Sequence, residues 1–304
     1  MTTYARILVT GGTGFIGRPL CRSLLAKGYQ VTVLSRQPRD VVTSLCGEVD
    51  VIHSLLELAP NAPLTGVINL AGAGIADQRW SPARKDELLN SRIALTRDLV
   101  SSLARQPTKP KVLVSGSAVG FYGAWNDEIL DERSPPHDEF THQLCSAWEE
   151  AALSAKTHGI RVCLARTGLV IGANGGFLKR MLPPFRLGLG GPLGQGNQYM
   201  SWIHREDEVN ALIWLLEHDD TAGAYNLTAP APVTNAAFTR ALARQLKRPA
   251  VLPAPAPILR LLLGEMSRLL LTGQRVLPVR LLESGFRFAH PELDAALKDV
   301  IHLH

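Results

Sequence analysis

A doubly wound α/β fold of the Rossmann type, carrying a small C-terminal helical or mixed lobe, is what three features of the 304-residue sequence predict. Short apolar runs alternate with amphipathic helical patterns, the runs are apolar on both faces, and a glycine-rich turn follows the first of them. Strands are expected at residues 6–10, 30–35, 66–70, 111–115 and 160–166, where the chain reads Ile-Leu-Val, Val-Thr-Val-Leu, Val-Ile-Asn-Leu and Val-Leu-Val in the first four. Near-continuous apolar strands belong to a parallel sheet covered on both sides. The intervening patterns at 15–27, 82–104 and 140–156 supply the right-handed crossovers such a sheet needs.

Further along, the glycine-rich segment 172–198 reads as a substrate-side loop around a short helix, with a mobile connector as the alternative. A strand-like stretch (198–203), a helix (206–217) and another strand (224–227) follow it. Past Pro230 the prolines thicken, so residues 1–230 are expected to form the dinucleotide-binding domain and 231–304 a small C-terminal one.

The net charge of +5 comes from Lys and Arg scattered singly among acids, without a run of five like charges. Phosphate-backbone binding needs a concentrated basic face, so nucleic acid is not an expected partner. Cys21, Cys46, Cys145 and Cys163 lack zinc-type or CxxC spacing and read as small buried hydrophobes. No apolar run reaches the roughly 18 residues that span a bilayer, and the first residues lack a charged and apolar leader. A cytoplasmic protein without metal or membrane partner is the expectation.

The strongest signal is Gly11-Gly12-Thr13-Gly14-Phe15-Ile16-Gly17, which contains GxGxxG between a strand and a helix. In that context one glycine makes the tight turn, one admits a pyrophosphate to the backbone, and one lets helix and strand approach. Exposed N–H groups and the helix dipole then favour a diphosphate. The second strand ends in Ser35-Arg36, nineteen residues beyond Gly17, where an NAD-specific site would place an acid. A guanidinium there suits a 2′-phosphate, and Ser35 adds a hydroxyl, so NADP(H) is expected over NAD(H).

These residues, with Asn69-Leu70-Ala71-Gly72 and Ser115-Gly116-Ser117, resemble the extended short-chain dehydrogenase/reductases. The strings RTGLVIG (166–172), PPFRLGLGGPLGQGNQ (183–198), SWIHREDEV (201–209), GQRVLP (273–278) and GFRF (285–288) are similar to an atypical branch, the YfcH-type epimerase family. The resemblance covers essentially the whole chain, including a C-terminal domain of unknown function. It implies cofactor contacts at the glycine turn, Ser35, Arg36, Leu70 and Ala71. It further implies Glu87 and Arg92 on the following helix and Val170 near the nicotinamide half.

Reductases of this type use Ser, Tyr and Lys, the Tyr passing a proton while the Ser polarises a carbonyl. Ser117 matches the first. Anchored on Glu149, the helix places Thr141 where Tyr belongs and Cys145 where Lys belongs. Tyr122, just past Ser117, or His142, whose imidazole can relay a proton, is the candidate substitute. His204 could enter the cleft, and Asp207 reads as a first-turn acid favoured by the helix dipole. Two readings follow: an NADP(H)-dependent oxidoreductase or epimerase-like enzyme acting on a small polar or nucleotide-linked substrate, or a non-catalytic NADP(H) sensor or protein-interaction partner.

Overall fold

The computed structural model describes residues 5–59 and 63–302. Seven strands form its main sheet: β1 (Arg6–Thr10), β2 (Gln30–Leu34), β3 (Asp50–Ile52), β4 (Gly66–Asn69), β5 (Val112–Ala118), β6 (Arg161–Thr167) and β7 (Gly223–Leu227). All neighbours are parallel, and the spatial order is β7-β6-β5-β4-β1-β2-β3. The order reverses between β1 and β4, and the crevice outside the carboxyl ends there is where open α/β sheets take ligands.

Alternation along β1 explains why both faces are covered. Ile7 and Val9 join one core, with Leu20 and Leu24 from α1 (Gly17–Ala26) and with Leu212 and Leu216 of a later helix. Leu8 points the other way and joins Leu99 and Leu103 of α3 (Pro82–Arg105). Helix α2 (Arg39–Cys46) and strand β3, at three residues too short for a periodic signal, were not expected from the sequence. Strand β5 runs two residues past Gly116, so Ser115 and Ser117 lie within the strand rather than beyond it. All four cysteines are free and buried, as small hydrophobes should be.

Helix α4 (Phe140–Leu153) lies against α3 and β5. The glycine-rich segment does hold a short helix, α5 (Leu178–Arg186), and α6 (Arg205–Glu217) follows with His204 as its N-cap. Beyond them α7 (Asn235–Leu246), α8 (Ala256–Leu263), α9 (Arg268–Leu271), α10 (Val279–Glu283) and α11 (Leu293–His302) complete the chain. A further core joins Leu178, Phe185 and Trp202 to Phe238, Leu242 and Leu297, so segments from both sides of Pro230 share one apolar interior. Three small strand pairs add to this: Leu169–Ile171 with Trp202–His204, Tyr199–Met200 with Val233–Thr234, and Ile129–Leu130 with Arg275–Val276. No described helix is long and apolar enough to cross a membrane.

Candidate cofactor and active site

The glycine turn is built by exclusion of side chains. Gly11 has φ +70°, and a Cβ there would stand 2.8 Å from the Leu70 carbonyl. A Cβ on Gly17 would lie 2.2 Å from the Gly11 oxygen, and one on Gly12 would lie 2.8 Å from Val33 of β2. Gly14 differs: it is exposed, and its Cβ would meet only the Gly11 oxygen, at 3.1 Å. Three glycines therefore let chain pass chain, and the fourth leaves the rim open. Among the described residues the N–H groups of Thr13, Phe15 and Ile16 donate to no protein acceptor, while the Gly14 N–H closes the turn onto Gly11 at 3.0 Å. A ring of unpaired amides at the start of a helix is a fitting cradle for a diphosphate.

Arg36 stands exposed just past β2, and among the described residues it is in no ion pair. Ser35 is half-buried; its hydroxyl accepts from Gln37 N at 3.1 Å, and its carbonyl accepts from His53 Nδ1 at 2.9 Å. Leu70 and Ala71 are held by hydrogen bonds from their N–H groups to the Thr10 carbonyl (3.2 Å) and Thr10 Oγ1 (3.2 Å). Behind them a buried polar chain runs from Thr10 to Asn69 (2.6 Å) and on to Thr96 (2.9 Å), which also accepts from the Trp148 indole at 3.1 Å. This chain locks the carboxyl ends of β1 and β4 to α3 and α4.

Glu87 and Arg92 brace the loop after β4. Arg92 donates to the Ala73 carbonyl at 2.9 Å, and burial pulls its guanidinium below the ordinary arginine range. Glu87 is exposed and pairs at 2.6 Å with Arg84, whose other arm donates to the Gly74 carbonyl. Val170 lies in the strand beside Trp202–His204. Phe15 reaches from the glycine turn to the same region, where a Cβ on Gly175 would fall 2.2 Å from its ring. Arg205 lies over the Phe15 ring at 4.8 Å and donates to the Ala173 carbonyl at 3.0 Å. The dinucleotide turn and the glycine-rich segment are thus clamped together through one aromatic ring.

The catalytic candidates fare differently. Ser117 is buried, and its hydroxyl donates to Glu149 Oε1 at 2.7 Å. Glu149 is in turn gripped by Arg166 through Nε (2.8 Å) and Nη2 (2.9 Å). Arg166 also donates to the Tyr122 hydroxyl at 3.1 Å and stacks on Phe121 at 3.4 Å. Tyr122 donates to Asn226 at 2.7 Å, is fully buried, and is pushed up to about 12 by burial. The phenol expected to serve as an acid–base group is thus sealed in the interior, its proton given to Asn226 and its oxygen accepting from Arg166. The Ser117 hydroxyl expected to polarise a carbonyl is here turned to Glu149. Cys145, in the position of the missing lysine, is a buried neutral thiol pushed up to about 12 by the same cause.

His142 remains. It is half-buried, and its Nδ1 lies 2.7 Å from the Phe121 carbonyl. A carbonyl only accepts, so Nδ1 carries a proton, and it is the neutral ring whose Nε2 presents a lone pair. Thr141 beside it donates to Glu139 at 2.9 Å.

His204 does not enter the cleft. It is buried beneath α11, its Nε2 lying 3.3 Å from Asp299, and its ring lies tilted against that of His290, 3.8 Å between centroids. Burial lowers it to about 4. His204, His290 and Asp299 form the one cluster of possible metal donors among the described residues, their donor atoms within 4.8 Å. Because the His204 Nδ1 accepts the Glu206 N–H at 3.3 Å, its Nε2 carries the proton toward Asp299, the geometry of a hydrogen-bonded pair rather than of a ligand. Asp207 is a first-turn acid as read, but it also accepts from Ala289 N (2.7 Å) and His290 N (2.9 Å), fastening the C-terminal segment to α6.

The sequence reading missed Glu149, Arg166 and Asn226 as partners. A signal existed: a charged residue at 166 in an apolar strand covered on both faces demands a buried counter-ion.

With this arrangement in view, comparison with known proteins gives two family matches: the NAD dependent epimerase/dehydratase family over residues 7–228 and a domain of unknown function, DUF1731, over residues 254–300. The chain belongs to the NAD dependent epimerase/dehydratase family. It is 40% identical over 301 residues to the epimerase family protein SDR39U1 of Bos taurus, covering 97% of this chain and 99% of that one. The epimerase family protein YfhF of Bacillus subtilis is 38% identical over 300 residues, with 97% of each covered. Among solved structures, human epimerase family protein SDR39U1 with NADPH superposes with a TM-score of 0.87 at 36% identity, covering 97% of this chain and 98% of that one.

Proposed function

We propose that the chain binds NADP(H) on the glycine turn and acts as an oxidoreductase or epimerase-like enzyme on a small polar or nucleotide-linked substrate. The observation that carries the cofactor is the row of unpaired amides at Thr13, Phe15 and Ile16 beside the open rim at Gly14. The solved human relative with NADPH supports the phosphorylated form, as does Arg36, which stands where an acid would repel a 2′-phosphate. Bound nicotinamide would supply the hydride chemistry. This chain's own residues would hold the diphosphate, clamp the cleft through Phe15 and Arg205, and move a proton at His142 Nε2.

One observation favours the second reading, a non-catalytic NADP(H) sensor: Ser117 and Tyr122 are consumed by a buried network instead of facing a ligand. Titration by NADPH and NADH, followed by absorbance with a panel of carbonyl compounds, separates the two. The enzyme reading expects NADPH oxidation that His142→Ala slows by at least tenfold. Tight NADPH binding without turnover on any compound would leave the sensor. Arg36→Ala should weaken NADPH about tenfold and leave NADH unchanged; equal loss for both would remove the arginine's role.

A further inference from the structure

Helix α8 buries none of its side chains. Ile258, Leu261 and Leu262, spaced i, i+3, i+4, form an apolar stripe that faces solvent, with Leu261 78% exposed. Such spacing marks the face a helix normally turns to a core. A second exposed apolar group lies just before it in the chain: Leu252 N donates to the Gly190 carbonyl at 3.1 Å, which joins exposed Val251 and Leu252 to exposed Leu187 and Leu189. Large contiguous apolar patches on a folded chain mark docking surfaces.

The charge around this surface identifies what covers it. Residues 177–198 and 247–263 contain six Lys or Arg and no Asp or Glu, and all six cations are exposed. Of these, Arg180 is paired, with Asp77, while among the described residues Lys179, Arg186, Lys247, Arg248 and Arg260 have no ion-pair partner. The nearby Glu265 is already taken by Lys85. A second copy of the chain would bring this patch against itself, setting unpaired cations against their own kind. The exposed apolar groups here are Leu, Ile and Val, without the Trp and Tyr anchors that dominate protein interfaces.

We propose that this face docks on an anionic phospholipid surface, with the aliphatic stripe entering the acyl boundary and the Lys and Arg side chains meeting headgroup phosphates. Aliphatic side chains flanked by cations are the composition of interfacial, non-spanning segments, and each cation near such a surface contributes independently. The sequence reading of no membrane partner rested on the lack of a spanning run, which a surface of this kind does not require.

Sedimentation of the full chain with vesicles tests this, using phosphatidylcholine alone and phosphatidylcholine with 30% phosphatidylglycerol at about 0.15 M salt. Binding is expected to the anionic vesicles only. Leu261→Ser with Leu262→Ser, and separately Arg186→Glu with Arg260→Glu, should each reduce it at least tenfold while leaving NADPH affinity and the thermal midpoint in place. Absence of vesicle binding overturns the proposal. So does binding that the leucine variant leaves intact, which would reflect general basicity, or a dimer in sedimentation velocity that Leu261→Glu splits, which would make the face a contact between copies.

Discussion

The glycine turn and the corner beneath Ser117 lie at the carboxyl edge of one sheet, yet they are finished in opposite ways. At the turn, backbone donors are left over and Gly14 keeps the surface open. At the corner, Ser117, Glu149, Arg166, Tyr122 and Asn226 satisfy one another in a buried interior. Unpaired donors at a rim await a ligand, whereas a closed network has spent its polarity on holding the fold. Position in the family pattern alone would have called both regions functional.

The largest expected effect breaks the closed side. Arg166→Met removes the cation from Glu149 and leaves a carboxylate buried without its partner, which costs roughly 3–5 kcal/mol. Chemical denaturation should show that loss, with NADPH affinity in the surviving folded protein changed by less than threefold. If stability held and NADPH affinity collapsed, the corner would belong to the cofactor site and the contrast would fail.

A smaller effect concerns a buried carboxyl oxygen left without a partner. Glu208 is fully buried on the first turn of α6; Thr167 donates to its Oε1 at 2.7 Å, and Oε2 has no partner. Burial raises its carboxyl to about 8. The unfolded chain ionises this group near the ordinary carboxylate value and the folded chain does not, so stability is full at low pH and is lost as pH rises through about 8. Between pH 6 and 9 the wild-type chain should lose on the order of 2–3 kcal/mol that Glu208→Gln does not lose, since an amide has no proton to give up. Parallel pH profiles of the two chains would sink this assignment.

Much of this was legible in the sequence for a physical reason. Parallel strands buried on both faces write themselves as apolar runs, and the glycine turn must use glycine because backbone occupies the space where Gly11 and Gly17 would carry a side chain. Strand β3 was too short to show a period, with three residues. Only the charge at Arg166 hinted at the closed corner, because its members come from β5 and the turn after it, α4, β6 and β7 and meet only after folding. Tyr122 illustrates the limit: its place beside Ser117 suggested chemistry, while its burial depended on Asn226, a residue 104 positions away. His204 and His290 met in the same way, through the packing of the C-terminal segment on α6.

The smallest effect sharpens the open side, because it separates two glycines of the same motif. Gly17→Ala would drive a methyl group into the Gly11 oxygen, a fixed backbone atom, and so should disturb the turn and the fold together. Gly14→Ala meets only one neighbour, at 3.1 Å, and Gly14 is not among the glycines with positive φ, so the folded chain can hold the methyl with a shift of a few tenths of an ångström. Its cost should fall on the ligand instead, since the added carbon occupies the exposed rim where a diphosphate must approach the amides of Thr13, Phe15 and Ile16. The expected outcome is an unchanged thermal midpoint with NADPH affinity about tenfold weaker, worth about 1.4 kcal/mol. Equal affinity for NADPH in the two chains would mean that the diphosphate does not pass Gly14, and the unpaired amides would need another occupant.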